Sequence, residues 1–313
     1  MSSVNGKVAF LFPAFSMKYR DASPKPVDGY ADEVARCLAQ ASAVVEIDQR
    51  KFEGRGQYVL DDELQDDLQE HYVSYVKSAA LASLLEKRGI RCDYVAGYSM
   101  GLFAALHHGA AVSFEDGLQL LHHVCTFAHE AVEGGAYGMG VVVGLTADEI
   151  AVLIAQNCPG VEVADVCAPR VVITSGTRGD LGKLFEVSEA KGSMHSRFLP
   201  VTIPFHSVVL REAEDRIRRF LGQIDIRPPE CGIVSGVNQK VLVSEEDVKE
   251  EAVGNLWQPL RWYKTMRRLL DLEVDVFLEC GLSDSLCALA RNVEGDFQTY
   301  HPRKFDRLIA SLD

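Results

Sequence analysis

The sequence predicts an α/β protein in two parts: a large subdomain with a mainly parallel sheet, residues 1–133 and 200–313, interrupted by a small subdomain, residues 134–199. Three observations carry that reading. Apolar runs of strand length alternate with amphipathic runs of helix length through most of the chain, the pattern of strands joined by helical crossovers. From about Gly134 the texture changes to short elements in the order βαββαβ, the ferredoxin-like pattern. The chain has 313 residues and is 47% hydrophobic, enough to bury one large core or a core with a satellite.

The elements follow in order. Lys7–Pro13 (KVAFLFP) is a short apolar run stopped by proline, hence a buried strand. Val27–Ala41 alternates apolar and charged residues at helical spacing. In residues 70–89, Tyr72, Tyr75, Val76, Ala79, Leu81 and Leu84 recur every three to four positions, and Gly89 ends the helix. The acidic stretch Asp61–Glu70 before it reads as a solvated helix end. Asp93–Ala96 is a second buried strand, followed at once by Gly97-Tyr98-Ser99-Met100-Gly101 and a helical run Leu102–His108.

The small subdomain is expected to hold strand Met139–Leu145, a helix to Asn157 capped by Thr146, strands Gly160–Val166 and Val171–Ser175, helix Asp180–Lys191 and strand His195–Val201. Asp165, Cys167 and Arg170 are placed in a loop and given no role. The large subdomain resumes near Pro200 with helix Val208–Leu221, strand Cys231–Ser235, helix Trp262–Leu272 and strand Val274–Glu279.

Charge and cysteine usage exclude several classes. The formal net charge is −13 and basic clusters of the kind that grip nucleic acid are lacking, so no nucleic-acid partner is expected. No apolar run reaches bilayer length, so no membrane partner is expected. No charged segment followed by a long apolar core opens the chain, so no signal peptide is expected. The eight cysteines include no C-x-x-C pair and several lie in apolar runs. They read as reduced thiols of a cytoplasmic protein, not as a disulfide frame or a metal site. Cys280, at a strand end, reads as core.

The chemistry sits in Gly97–Gly101, a G-x-S-x-G pattern between a predicted strand and a predicted helix. Glycines two before and two after the serine let neighbouring backbone pass closely. The turn holds the Ser99 hydroxyl at a helix N-terminus, where backbone N–H groups, Met100 first among them, can stabilise an oxyanion. A serine nucleophile needs a base. His107, His108, His122, His123 and His129 follow on predicted helices; His206, after Pro204-Phe205, is distant in sequence, as triad partners often are. Spacing alone prefers none of the nine histidines.

Several segments in order resemble the malonyl-CoA:acyl carrier protein transacylases, including the acyltransferase domains of polyketide synthases. They are Phe12-Pro13, Gly97–Gly101, Phe127–Ala131, PVTIPFHSVVL (Pro200–Leu210), NLWQPLRW (Asn255–Trp262) and FLECG (Phe277–Gly281). The resemblance covers nearly the whole chain. It implies an α/β-hydrolase-like large subdomain with a ferredoxin-like insert, and a ping-pong transfer through an acyl-serine. It implies Ser99 as nucleophile and His206 as base, with the residue whose backbone carbonyl holds the histidine at Asn255, where the family usually has glutamine. It places the oxyanion amides at Met100 and Phe15. It implies acyl-CoA or acyl-phosphopantetheine as substrates, an acyl carrier protein as partner, a role in fatty acid or polyketide biosynthesis, and no bound cofactor or metal.

Three departures shape the expected substrate. Tyr98 replaces the histidine of the usual GHSxG elbow, and with Phe205 is expected to shape the acyl pocket. The loop FPAFSMK (Phe12–Lys18) replaces the usual FPGQGSQ, setting Phe15 in place of glutamine. The family arginine that clamps the malonyl carboxylate falls on Val124. Valine offers no counterpart to a bidentate arginine, and burying the unpaired carboxylate costs on the order of a hundredfold or more in preference. The expectation is therefore an uncharged acyl group, with His122 or His123 as an alternative clamp. An acyl-thioester hydrolase, a malonyltransferase with another clamp and a non-catalytic carrier-binding subunit are the competing readings. Arg211, Arg216, Arg218, Arg219, Lys264, Arg267 and Arg268 are candidates for a basic rim facing an acidic carrier protein.

Overall fold

The computed structural model describes residues 6–14, 27–52, 59–305 and 308. In chain order the elements are β1 (Lys7–Phe12), α1 (Tyr30–Ala41), α2 (Gln49–Phe52), α3 (Glu63–Lys87), β2 (Tyr94–Gly97), α4 (Leu102–His108) and α5 (Phe114–Ala131). Then come β3 (Tyr137–Val143), α6 (Ala147–Asn157), β4 (Val161–Ala168), β5 (Val171–Thr177), α7 (Arg178–Ala190) and β6 (His195–Phe198). The chain continues with α8 (Glu214–Leu221), β7 (Gly232–Val234), β8 (Val241–Leu242), α9 (Glu245–Trp257), α10 (Trp262–Asp271), β9 (Val274–Glu279), α11 (Ser285–Ala290) and β10 (Gln298–Tyr300).

Two sheets organise them. The larger has the order β10-β9-β1-β2-β7-β8 and is parallel except at the β7–β8 edge. β1 lies at its centre, and Val8–Phe12 are all buried because helices cover both faces. Phe10 and Phe12 face the larger core with α3, α4 and α5, while Ala9 and Leu11 face a second cluster around Trp262, Met266 and Phe277. That split follows from the two-residue period of a strand.

The smaller sheet is antiparallel, order β4-β5-β3-β6, with α6 and α7 closing a third core of Val142, Ile150, Val172, Leu181 and Leu184. Its connectivity, β3-α6-β4-β5-α7-β6, is βαββαβ, and Thr146 opens α6 with a reciprocal capping box to Glu149.

Several segments differ from expectation for local reasons. The segment read as one helix over Val208–Leu221 is a 3₁₀ turn, Val208–Ala213, capped by Ser207, that passes into α8. The last small-sheet strand stops at Phe198 rather than Val201. α3 starts at Glu63, with the Asp62 side chain accepting from the Gln65 N–H, so most of the acidic stretch is its first turns. Asp165 and Cys167 lie in β4 rather than a loop, and Arg170 sits in the tight link to β5.

Candidate active site

β1 and β2 run side by side in parallel, with Phe12 opposite Gly97, so their C-terminal ends open at one place. Ser99 stands just beyond β2 with φ of 52°, a left-handed conformation that a non-glycine residue holds only when its surroundings enforce it. The enforcement is visible at both flanking glycines. A Cβ on Gly97 would lie 2.3 Å from the Leu102 Cα, and one on Gly101 would lie 2.2 Å from the Phe12 carbonyl oxygen. Both obstacles are backbone, so only glycine fits. Ser99–Gly101 form a 3₁₀ turn leading into α4. The first N–H groups of such a turn have no partner within it, which leaves Met100 N–H suited to a developing oxyanion. Phe15, the second expected donor, lies outside the described residues.

Ser99 Oγ is 2.8 Å from His206 Nε2. With the ring proton on Nδ1, Nε2 accepts from the hydroxyl, the geometry a general base requires. Three elements fix the imidazole. Its backbone N–H donates to the Leu256 carbonyl in α9 at 2.9 Å. The preceding carbonyl, of Phe205, accepts from Ser175 Oγ of β5 at 2.5 Å. The N–H of Val208 donates to Glu162 Oε2 of β4 at 3.0 Å. His206 itself has φ of 61°, a second strained residue held by its neighbours.

His206 is 3% exposed, and burial pushes its imidazole down to about 4, opposed by the nearby backbone carbonyls of Asn255 and Gln258. Those carbonyls favour the protonated ring, yet Nδ1 makes no hydrogen bond of good geometry among the described residues. The ring is therefore neutral at pH 7 and able to take a proton. Asn255 acts at a second point: its side-chain amide donates to the Ser99 carbonyl at 3.2 Å and ties α9 to the Ser99 turn. The family resemblance implies a role only for the backbone of Asn255.

The remaining expected pocket residues are placed as follows. Val124 is fully buried in the main core, on α5. Its two histidine neighbours are engaged elsewhere. The Tyr72 hydroxyl is 2.5 Å from His122 Nδ1, and the His123 ring packs on Phe220 at 4.2 Å between centroids. Phe205 is buried, with its ring edge-on to His71 at 6.5 Å. Behind Met100 and Gly101 lies a small cavity lined in part by His71, Ser74, Ser78 and Leu121.

Tyr98, expected to help shape the acyl pocket, makes a polar joint. Its ring packs edge-on against Trp262, and its hydroxyl donates to Asp165 Oδ2 at 3.0 Å. The Cys167 thiol donates to the same oxygen at 2.8 Å, and the Trp262 N–H donates to Oδ1 at 2.9 Å. Burial pushes the Asp165 carboxyl up while these donors pull it down. Asp165 thereby joins the Ser99 turn, the small sheet and the start of α10. The roles of Asp165 and Cys167 are not visible in the sequence, because the partners of Asp165 stand 67 and 97 residues away.

Of the candidate basic rim, Arg216 pairs with Glu130 and stacks over Phe127, and Arg218 is held by both Glu214 and Glu250. Arg267 donates to the Glu294 carbonyl. Arg211 lies over the Trp257 ring at 5.0 Å. Arg219 and Lys264 are exposed, and Arg268 is half-buried. No helix among the described residues is long and apolar enough to cross a membrane.

Comparisons with known proteins bear on this geometry. Residues 61–291 match the family model described as an acyl transferase domain. The chain is 26% identical over 225 residues to the malonyl CoA-acyl carrier protein transacylase of Bacillus subtilis, covering 71% of each chain. It is 30% identical over 201 residues to the polyketide biosynthesis protein ThaF of Burkholderia thailandensis, covering 64% of this chain and 17% of that one. Among solved structures, an acyl-carrier-protein S-malonyltransferase from Burkholderia pseudomallei superposes with a TM-score of 0.86 at 27% identity, over 97% of this chain and 99% of that one. A malonyl-transacylase solved in complex with a type II polyketide synthase acyl-carrier protein superposes with a TM-score of 0.87 at 23% identity, over 98% and 99%.

Proposed function

The chain belongs to the acyl transferase domain family, and from that premise we propose that Ser99 carries an uncharged acyl group as an ester between a thioester donor and the thiol of an acyl carrier protein. The observation that carries the reading is the 2.8 Å approach of Ser99 Oγ to His206 Nε2.

In the first half-reaction His206 Nε2 takes the hydroxyl proton as Oγ attacks the thioester carbonyl. The tetrahedral oxyanion accepts from Met100 N–H, and the carbonyls of Asn255 and Gln258 favour the imidazolium that forms beside it. Collapse breaks the C–S bond, and the imidazolium returns its proton to the leaving thiolate. In the second half a carrier thiol gives its proton to His206 and attacks the ester carbonyl. The C–Oγ bond breaks, and Ser99 recovers its proton. No acidic third residue is required, because a ring kept neutral by burial needs orientation more than a counter-charge.

The reading of an uncharged substrate rests on α5. Valine stands where the family's arginine would meet a carboxylate, it is fully buried, and the adjacent histidines are bonded or stacked elsewhere. Three of the similar proteins named above, from Bacillus subtilis, from Burkholderia pseudomallei and in the carrier-protein complex, are malonyl-transferring by name.

Intact mass after incubation with acetyl-, butyryl- and malonyl-CoA tests both parts. Acetyl or butyryl adducts forming faster than malonyl by about a hundredfold, and passing to holo acyl carrier protein, are the expected result. A malonyl adduct formed preferentially refutes the uncharged substrate. Release of free acid with no transfer to carrier thiol favours the hydrolase.

A further inference from the structure

We infer that Asp67, His71 and Cys125 form a binding site for a divalent cation of the zinc class, in the wall between α3 and α5 behind the nucleophile turn. One carboxylate oxygen, one imidazole nitrogen and the thiol sulfur all lie within 4.8 Å of one another. The inference stands independently of the acyl-transfer reading.

Residue spacing builds the site. Asp67 and His71 are four apart on α3, and Cys125 and His129 are four apart on α5, so each pair shares one helix face. The helices pack together with those faces inward. Asp67 Oδ2 is 3.0 Å from His129 Nε2 and 4.0 Å from Cys125 Sγ. His129 thereby orients the carboxylate from outside, the usual arrangement around a metal ligand.

The donor set and the charge agree. Mixed oxygen, nitrogen and thiolate ligands in a compact cluster suit zinc or cobalt rather than calcium or magnesium. Metal–ligand bonds of about 2.0–2.3 Å place tetrahedral ligand atoms roughly 3.3–3.8 Å apart, so side-chain shifts of about 1 Å close the site, with a fourth position open. On binding, the Cys125 thiol proton leaves to solvent. The thiolate and the Asp67 carboxylate then balance the two charges of the ion, which a site this deep demands. His71 and Cys125 are buried, and Asp67 is half-buried, giving the ion a path from solvent. A bound ion would tie α3 to α5 where His71 touches Phe205, the residue before the base.

Cobalt(II) titration of the full chain, stripped with chelator and kept reduced, tests the inference. One equivalent should produce thiolate-to-cobalt charge-transfer absorption with the d–d intensity of a four-coordinate ion, displaced by zinc(II). Cys125→Ser should abolish the charge-transfer band. His129→Ala should keep the stoichiometry and weaken affinity roughly 10–100-fold. Absence of the one-equivalent spectrum, or the same band in Cys125→Ser, overturns the site. If Cys125→Ser does not fold, Asp67→Asn decides: weakened binding supports the site, and unchanged affinity overturns it.

Discussion

At Ser99 and His206 two strained backbones meet: φ values of 52° and 61° bring a hydroxyl and an imidazole to 2.8 Å. Removing either group should be felt in the acylation step. His206→Ala should slow acyl-enzyme formation by about 10²–10⁴-fold in stopped-flow or quenched mass measurements, with the circular dichroism spectrum unchanged. The pH profile is a sharper test of the environment. A base held down to about 4 stays neutral through mildly acidic pH. The acylation rate at pH 5.5 should thus remain within about twofold of that at pH 7.5, whereas an ordinary imidazole would lose about tenfold. Ser99 was legible in the sequence because a strand, a glycine pair and a helix surround it in five residues. His206 was not selected by spacing; the resemblance named it, and the fold supplies the contact. The side-chain roles of Asn255 and Tyr98 were illegible, since each depends on a partner at least 67 residues away.

Among the elements, the nucleophile turn is held by close backbone approach on one side and a buried carboxylate on the other. Gly101→Ala would drive a Cβ to 2.2 Å from the Phe12 carbonyl, pushing the turn from the end of β1. A displacement of about 1 Å there costs on the order of a hundredfold in rate, readable as slower acylation by acyl-CoA. Asp165→Ala would strand three buried donors, from Tyr98, Cys167 and Trp262. Loss of roughly 2–5 kcal/mol in urea unfolding is expected, and a change below about 1 kcal/mol would show that the clamp is not a stabilising joint. Most elements were readable as periodic runs. The 3₁₀ turn before α8 was not, because Val208–Leu210 and the helix share one apolar rhythm, and only the Ser207 cap and the Glu162 contact tighten the first turns. The grouping of Asp67, His71 and Cys125 was also hidden: no C-x-x-C marks it, and its ligands come from two helices.

For the whole molecule, acid stability follows from buried imidazoles. Burial lowers His108 and His206 to about 4 from an ordinary 6.5. Their neutral forms therefore stabilise the fold fully above pH 6.5. That contribution falls away as pH drops from 6.5 toward 4, because the unfolded chain takes up protons first. Each is worth a few kcal/mol on the order-of-magnitude scale of about 1.4 kcal/mol per unit, so the melting temperature should fall steeply between pH 6.5 and 4. A melting temperature constant over that interval would contradict the burial of both rings. Charge on the molecular scale is less cooperative than the sequence suggested: Arg216 and Arg218 are consumed by glutamates. Exposed cations such as Arg211 and Arg219 are left to steer an acidic carrier under the proposed reading, and Arg219→Glu should slow carrier association at low salt. The two-sheet plan was legible because strand and helix periods differ; the joints between the sheets were not, since they are single hydrogen bonds across long separations.

Peptide mapping of the protein after brief exposure to acetyl-CoA locates the acylated side chain itself. One acetyl ester is expected, on the peptide containing Ser99, absent in Ser99→Ala and removed by a carrier thiol. An acyl group found instead on a cysteine, or on the wild type and Ser99→Ala alike, would contradict it.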